Sequence, residues 1–193
     1  MNGSKLPYLL FLVLLLLFNG LIFLTPYLAA QQSAETAGLY SAFSLTCHQL
    51  VNRSLCLFVS QTDGSYSIVD CVLNNVILFP KAVKAVYDDQ IGYKLPVCAR
   101  DIAIYLSMLI GLILLPFITK IESEDWPNKW ILAAAVIPLA IDGTTQLIGL
   151  RESTNFLRLV TGTIVGIVLP FYLLPILNSL YALVREQFEK KKK

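Results

Sequence analysis

Histidine is almost missing from this chain: His48 is the only one, and methionine occurs only twice. A single histidine excludes zinc proteases of the H-E-x-x-H kind, which need two on one helix face. Neither a phosphate-cradling P-loop nor a G-x-S-x-G nucleophile elbow occurs. Charge is scarce as well. Charged residues make up 15% of the chain, against about a quarter in soluble domains. No basic stretch with interleaved aromatics is found, so nucleic acid is not an expected partner. The net charge of +2 says little, because the charges lie between and beside apolar runs.

What the chain has in abundance is apolar sequence. Hydrophobic residues account for 56% of the 193 positions and the mean hydropathy is +0.66. The length suits one domain, 1–193, with lipid as its main solvent. Four stretches are long enough to cross a hydrocarbon core, which takes about 20 helical residues. They run from about Leu6 to Ala30, Asp101 to Ile118, Trp130 to Leu150 and Phe156 to Val184. The expected fold class is therefore all-α and membrane-integral, with four spans and a segment of mixed polarity, Gln31 to Arg100, between the first two. The first stretch reads as an uncleaved span. A signal peptide ending near Tyr27-Leu28-Ala29-Ala30 is the alternative, although the run exceeds the usual signal core and Pro26 sits near its end.

Orientation follows from the lysines and arginines beside the spans. Lys5, Lys120, Lys129, Arg185 and Lys190 to Lys193 share one side, with Trp126 and Trp130 as interface markers. The expectation is a multi-pass protein of the cell membrane with both termini cytoplasmic and 31–100 outside.

Polar residues inside apolar spans are the candidates for chemistry. In the third span Asp142, Gln146 and Gly149 recur at helical spacing, so they are expected on one face. Asp142 lies roughly 18 Å from the inner end at 1.5 Å per residue. A carboxylate at that depth costs about 2.5–3.5 kcal/mol and calls for a partner. Arg151, Asn155, Arg158 and Gly162 share a face if the fourth helix begins near Arg151, with Glu152 and Ser153 in its first turn. Gly162 and Gly166 form a GxxxG that permits close helix approach, and Pro170 and Pro175 are expected to kink the inner half. Arg100 and Asp101 open the second span on the same side.

Two readings of this polar group stand together. One is a structural network that joins three helices. The other is an anion site for a phosphate-bearing or lipid-linked substrate, with Arg100, Gln146, Arg151, Asn155 and Arg158 as binding groups. Asp142 and Glu152 would then transfer protons or hold a divalent ion. Membrane lipid is the expected partner, and a non-catalytic membrane subunit whose outer segment docks another protein is a further alternative.

All four cysteines, Cys47, Cys56, Cys71 and Cys98, lie in or beside the segment 31–100. An even number outside the membrane implies disulfides, and four cysteines allow three connectivities. A metal or thiol site built from Cys47 or His48 with Cys98 and Asp101 is the alternative, although the spacing matches no standard zinc pattern. Asn52-Arg53-Ser54 also fits the N-glycosylation acceptor pattern.

In chain order, Cys47-His48-Gln49, Arg53-Ser54, Pro96-Val97-Cys98-Ala99-Arg100, Ile104-Tyr105, Asp142-Gly143, Gln146, Arg151-Glu152-Ser153-Thr154-Asn155, Arg158 and Thr161-Gly162 form an ordered set. The set resembles a family of small archaeal and bacterial membrane proteins, domain of unknown function 2085. Its signature reads roughly CHQ, RS, CARC, DG, Q, RES-N and R-TG. The resemblance covers about Cys47 to Gly166 and implies no activity. Asp101 stands where the family usually has the second cysteine of CARC. The interval from Cys56 to Tyr93 looks longer than the family's, so Cys56 and Cys71 would be a local addition. That makes Cys56 with Cys71 the expected disulfide and leaves Cys47 and Cys98 to the shared site.

Overall fold

The structure is a computed structural model that describes residues 5–47, 50–60, 64–71, 77–79, 82–87 and 90–191, with 77–79 and 82–87 described by their backbone alone. Four helical segments are long and apolar enough to cross a membrane. Helix α1 covers Leu6–Ala30 and a short α2 covers Thr36–Phe43. Helices α3, Ala99–Ile118, and α4, Lys129–Leu147, follow the extramembrane segment. The last span is α5, Asn155–Val168, followed by α6, Pro170–Lys191. The break at Leu169 falls directly before Pro170, whose ring cannot sit inside a continuous ladder.

Several expected boundaries shift. The third span stops at Leu147 rather than Leu150, because Gly149 adopts φ +73 and closes the helix end. Gly149 is therefore a terminator and does not extend the Asp142–Gln146 face. The fourth helix starts at Asn155, with Thr154 Oγ1 accepting from the Leu157 amide as its cap. Arg151, Glu152 and Ser153 precede it in the connection, so the face expected to begin at Arg151 does not exist.

The all-α expectation also needs correction, because the segment between α1 and α3 carries a sheet. Its strands are β1 Leu55–Ser60, β2 Tyr66–Asp70, β3 Ile77–Phe79, β4 Ala82–Tyr87 and β5 Gln90–Lys94. They pair antiparallel in the order β2-β1-β5-β4-β3. A disulfide between Cys56 and Cys71, with Cα atoms 5.1 Å apart, ties β1 to the residue after β2. This is the pairing expected from the sequence.

The sheet sits at one end of the helices. Ile22 of α1, Phe43 of α2, Leu95 and Val97 after β5, and Ile102 of α3 form a buried cluster beneath it. The tightest seam in the helical part joins α3 to α5. A Cβ on Gly166 would stand 2.4 Å from the Ile104 carbonyl oxygen, and one on Gly162 would stand 2.7 Å from that of Arg100. The GxxxG thus acts within this chain, bringing two backbones into contact. At the other end, Asn178 of α6 donates to the Ile121 and Ser123 carbonyls, and Lys5 shares a shallow cavity with Phe117 and Lys120. Long apolar faces of α1 and α4, including Leu10, Leu14, Leu17, Ile137 and Ile141, stay exposed, as lipid contact requires.

Candidate functional site

Close approach of α3 and α5 sets Arg100 beside the C-terminal part of α4. Asp142, only 1% exposed, receives three donors there. Arg100 Nη2 donates to its Oδ2 at 2.5 Å and Ser153 Oγ to the same oxygen at 2.9 Å. Arg151 Nη2 donates to Oδ1 at 2.9 Å, while its Nε donates to Thr145 Oγ1 at 3.2 Å. Two guanidiniums and a hydroxyl occupy the carboxylate, and burial of the charge is offset by that pairing. Such an acid is built to position arginines.

A second group lies one helical turn on. Arg158, 3% exposed, donates through Nη1 to Asn155 Oδ1 at 2.6 Å and to the Asn52 carbonyl at 3.4 Å. The Asn155 amide donates in turn to Asp70 Oδ1 and to the Ser54 carbonyl, which fastens α5 to the sheet. Gln146 turns its amide oxygen toward the guanidiniums, the orientation their donors require. That oxygen accepts from Arg158 Nη2 at 2.9 Å and from Arg53 Nε and Nη2 at 3.1 Å each. Among the described residues, neither Arg53 nor Arg158 has a carboxylate within ion-pair distance. The buried Nε of Arg158 and that of Arg100 have no hydrogen-bond partner.

A third group adjoins the start of α3. The Sγ atoms of Cys47 and Cys98 and a carboxylate oxygen of Asp101 all lie within 4.8 Å of one another. The Cys98 amide donates to Cys47 Sγ at 3.3 Å, and Cys98 Sγ donates to Asp101 Oδ2 at 3.1 Å. The Cys98 thiol is pushed up from its ordinary pKa, first by its hydrogen bond with Cys47 and then by burial. Lys94 is buried nearby, with Nζ donating to the Leu95 carbonyl at 2.9 Å. Burial pulls its ammonium down to about 8, and the neighbouring Cys47 and Cys98 oppose that shift.

Of the residues singled out in the sequence, Arg100, Asp142 and Arg151 thus meet in one group, and Gln146, Asn155 and Arg158 in the next. Cys47, Cys98 and Asp101 form the third. Glu152 is exposed, and among the described residues it makes no hydrogen bond to any of these groups. His48 lies outside the described residues. Arg53 and Ser153 were not among the candidates. Arg53 entered only through the Asn52-Arg53-Ser54 and Arg53-Ser54 patterns, and Ser153 read as a residue of the first helical turn.

Comparison with known proteins places the chain in a family. The family described as "Predicted membrane protein (DUF2085)" matches residues 90–172. An uncharacterized protein of Methanocaldococcus jannaschii is 40% identical over 177 residues, 88% of this chain and 91% of the relative. The chain belongs to the DUF2085 family. An uncharacterized protein of Methanothermobacter thermautotrophicus is 41% identical over 78 residues, 39% of this chain and 67% of that protein. No solved structure matches the chain. The family match takes in Cys98, Arg100, Asp142, Gln146, Arg151 and Arg158, and it begins after Cys47 and Arg53. Family membership establishes a predicted membrane protein and brings no reaction with it.

Proposed function

We propose that this member of the DUF2085 family is a multi-pass membrane protein that binds a phosphate-bearing anion, free or lipid-linked, at its outer face. The observation that carries the reading is the pair Arg53 and Arg158. Both guanidiniums converge on one neutral acceptor, the Gln146 oxygen, and neither has a carboxylate at ion-pair distance among the described residues. Two unneutralised arginines side by side repel each other, and an anion with several oxygens relieves that repulsion by accepting from both forks. Arg100 and Arg151, held by Asp142, extend the positive surface. In this reading Asp142 positions arginines, and Glu152 is left without a role.

The outer placement rests on charge. Lys5 and the run Lys190 to Lys193 resist translocation, so the helix ends opposite the sheet face the cytoplasm. A cysteine placed at Ser65, in the connection between β1 and β2, should react with a membrane-impermeant maleimide in intact cells. Labelling only after the membrane is breached would reverse the orientation.

The anion itself is tested with Arg158→Gln. Wild-type protein should be stabilised by inorganic phosphate in a thermal-shift titration, or should carry a phosphate-bearing lipid in native mass spectrometry. The first result marks a free anion and the second a lipid. Folded Arg158→Gln protein should lose whichever response wild type shows. Retention of the response by the folded variant would exclude this site, as would the lack of both responses in wild type.

A further inference from the structure

Cys47 and Cys98 are thiols that lie side by side. In the same extramembrane segment, Cys56 and Cys71 are joined as a disulfide. An environment that oxidises one neighbouring pair should oxidise the other, unless something holds its sulfurs. Asp101 supplies a third donor at the same point. Cys98 caps the start of α3 and Asp101 follows three residues on in its first turn, where the two side chains meet at 3.1 Å. That Cys-x-x-Asp spacing delivers two ligands to one ion as a Cys-x-x-Cys does.

We propose that Cys47, Cys98 and Asp101 bind one divalent metal ion of the zinc class, a site distinct from the arginine pair. Two thiolates select a borderline-soft ion over magnesium or calcium, and a carboxylate is an accepted third ligand. Zinc–sulfur and zinc–oxygen distances of about 2.3 and 2.0 Å place tetrahedral ligands roughly 3.5–4 Å apart. The three donor atoms, all within 4.8 Å of one another, need to close by only a small movement. Each of the three residues is half-buried, so the ion has access while the ligands are held. Without metal, the Cys98 thiol proton bridges to Asp101. On binding, the metal replaces that proton and the one on Cys47, and both are released to solvent. The fourth tetrahedral position is left to water or an anion. The partial positive charge at the start of α3 and the buried Lys94 ammonium favour a ligand shell of three anions around a dication. This inference does not depend on the anion reading, and either can fail alone.

The test is metal analysis of the full-length protein, purified from its membranes without chelator and with thiols alkylated at lysis in a parallel sample. Wild type should hold one equivalent of zinc. After the zinc is stripped, added cobalt(II) should give a thiolate-to-cobalt charge-transfer band. Cys47→Ser and Cys98→Ser should lose most of the metal, and Asp101→Ala should bind it at least tenfold more weakly. Asp101→Cys should retain it, since a thiolate replaces one ligand by another. Retention by Asp101→Cys with loss by Asp101→Ala separates ligation from a charge that merely suits a helix end. The cobalt band needs no variant, so misfolded variants do not decide the outcome. Absence of both zinc and the cobalt band in wild type would overturn the site. So would full metal in a Cys47→Ser/Cys98→Ser double variant, or a Cys47–Cys98 disulfide in the lysis-alkylated sample.

Discussion

Arg100 of α3 and Asp142 of α4, 42 residues apart in the chain, meet at 2.5 Å inside the helical bundle. Arg151 reaches the same carboxylate from the connection between α4 and α5, but the two arginines differ in surroundings. The Arg100 side chain is 21% exposed and that of Arg151 43%. Arg100→Ala should therefore cost about 3–5 kcal/mol, as breaking a buried pair does. Arg151→Ala should cost about 1 kcal/mol or less, in the range of solvent-screened pairs. Thermal unfolding of the purified variants in one detergent ranks them. Equal losses would show that burial does not govern this network.

The α3–α5 seam allows a sharp test because its tolerance is so small. A Cβ on Gly166 would stand 2.1 Å from Ser107 Oγ and 2.4 Å from the Ile104 carbonyl oxygen. A serine hydroxyl can rotate away, but a helix carbonyl cannot. Gly166→Ala should destabilise the protein by about 1–3 kcal/mol through overpacking. Gly20 of α1 has nothing within 4 Å, so Gly20→Ala should be neutral or slightly stabilising. Parallel melting curves of the two variants check the contrast.

The Cys56–Cys71 bridge closes a loop with a sequence separation of 15. Chain-entropy arguments assign about 3 kcal/mol to a loop of that size. Peptide mapping without reduction should recover the two cysteine peptides joined. Cys71→Ser should lower the melting temperature and increase proteolysis between β1 and β2. Unlinked peptides from protein protected against reduction would contradict the pairing.

Tyr40 of α2 is fully buried, and its hydroxyl donates to the Lys94 carbonyl, which ties α2 to the last strand. Removing the hydroxyl leaves that carbonyl without its donor while barely changing the shape. Tyr40→Phe should cost about 1–3 kcal/mol, the penalty for one unsatisfied buried polar group. Denaturant or thermal titration measures it, and an unchanged melting temperature would show that water replaces the hydroxyl.

The membrane class, the four spans, the proline break and the close-packing glycines could all be read from the sequence. Each depends on a local property, such as apolar length over about 20 residues or a ring that cannot continue a helix. The Cys56–Cys71 pairing was also anticipated, from the apparent insertion that holds both residues. The sheet was not. Its strands are three to six residues long, and β2 is exposed along its whole length, so no alternation of apolar and polar residues marks it. The span bound near Phe156 fell within one residue of the observed start of α5, whereas the shared face that required a start near Arg151 failed, because Thr154 caps the helix and Ser153 is committed to Asp142. Sequence alone placed Asp142, Gln146, Arg158 and the thiols among the residues that do not belong in lipid or stand alone. Which of them touch was decided by tertiary structure. Cys47 meets Cys98 across 51 residues, and Arg158 meets the Asn52 carbonyl across 106. Those distances close only because glycine contacts bring α3 and α5 together and the sheet folds back over their ends. Contacts of that range arise from packing, which no local pattern encodes.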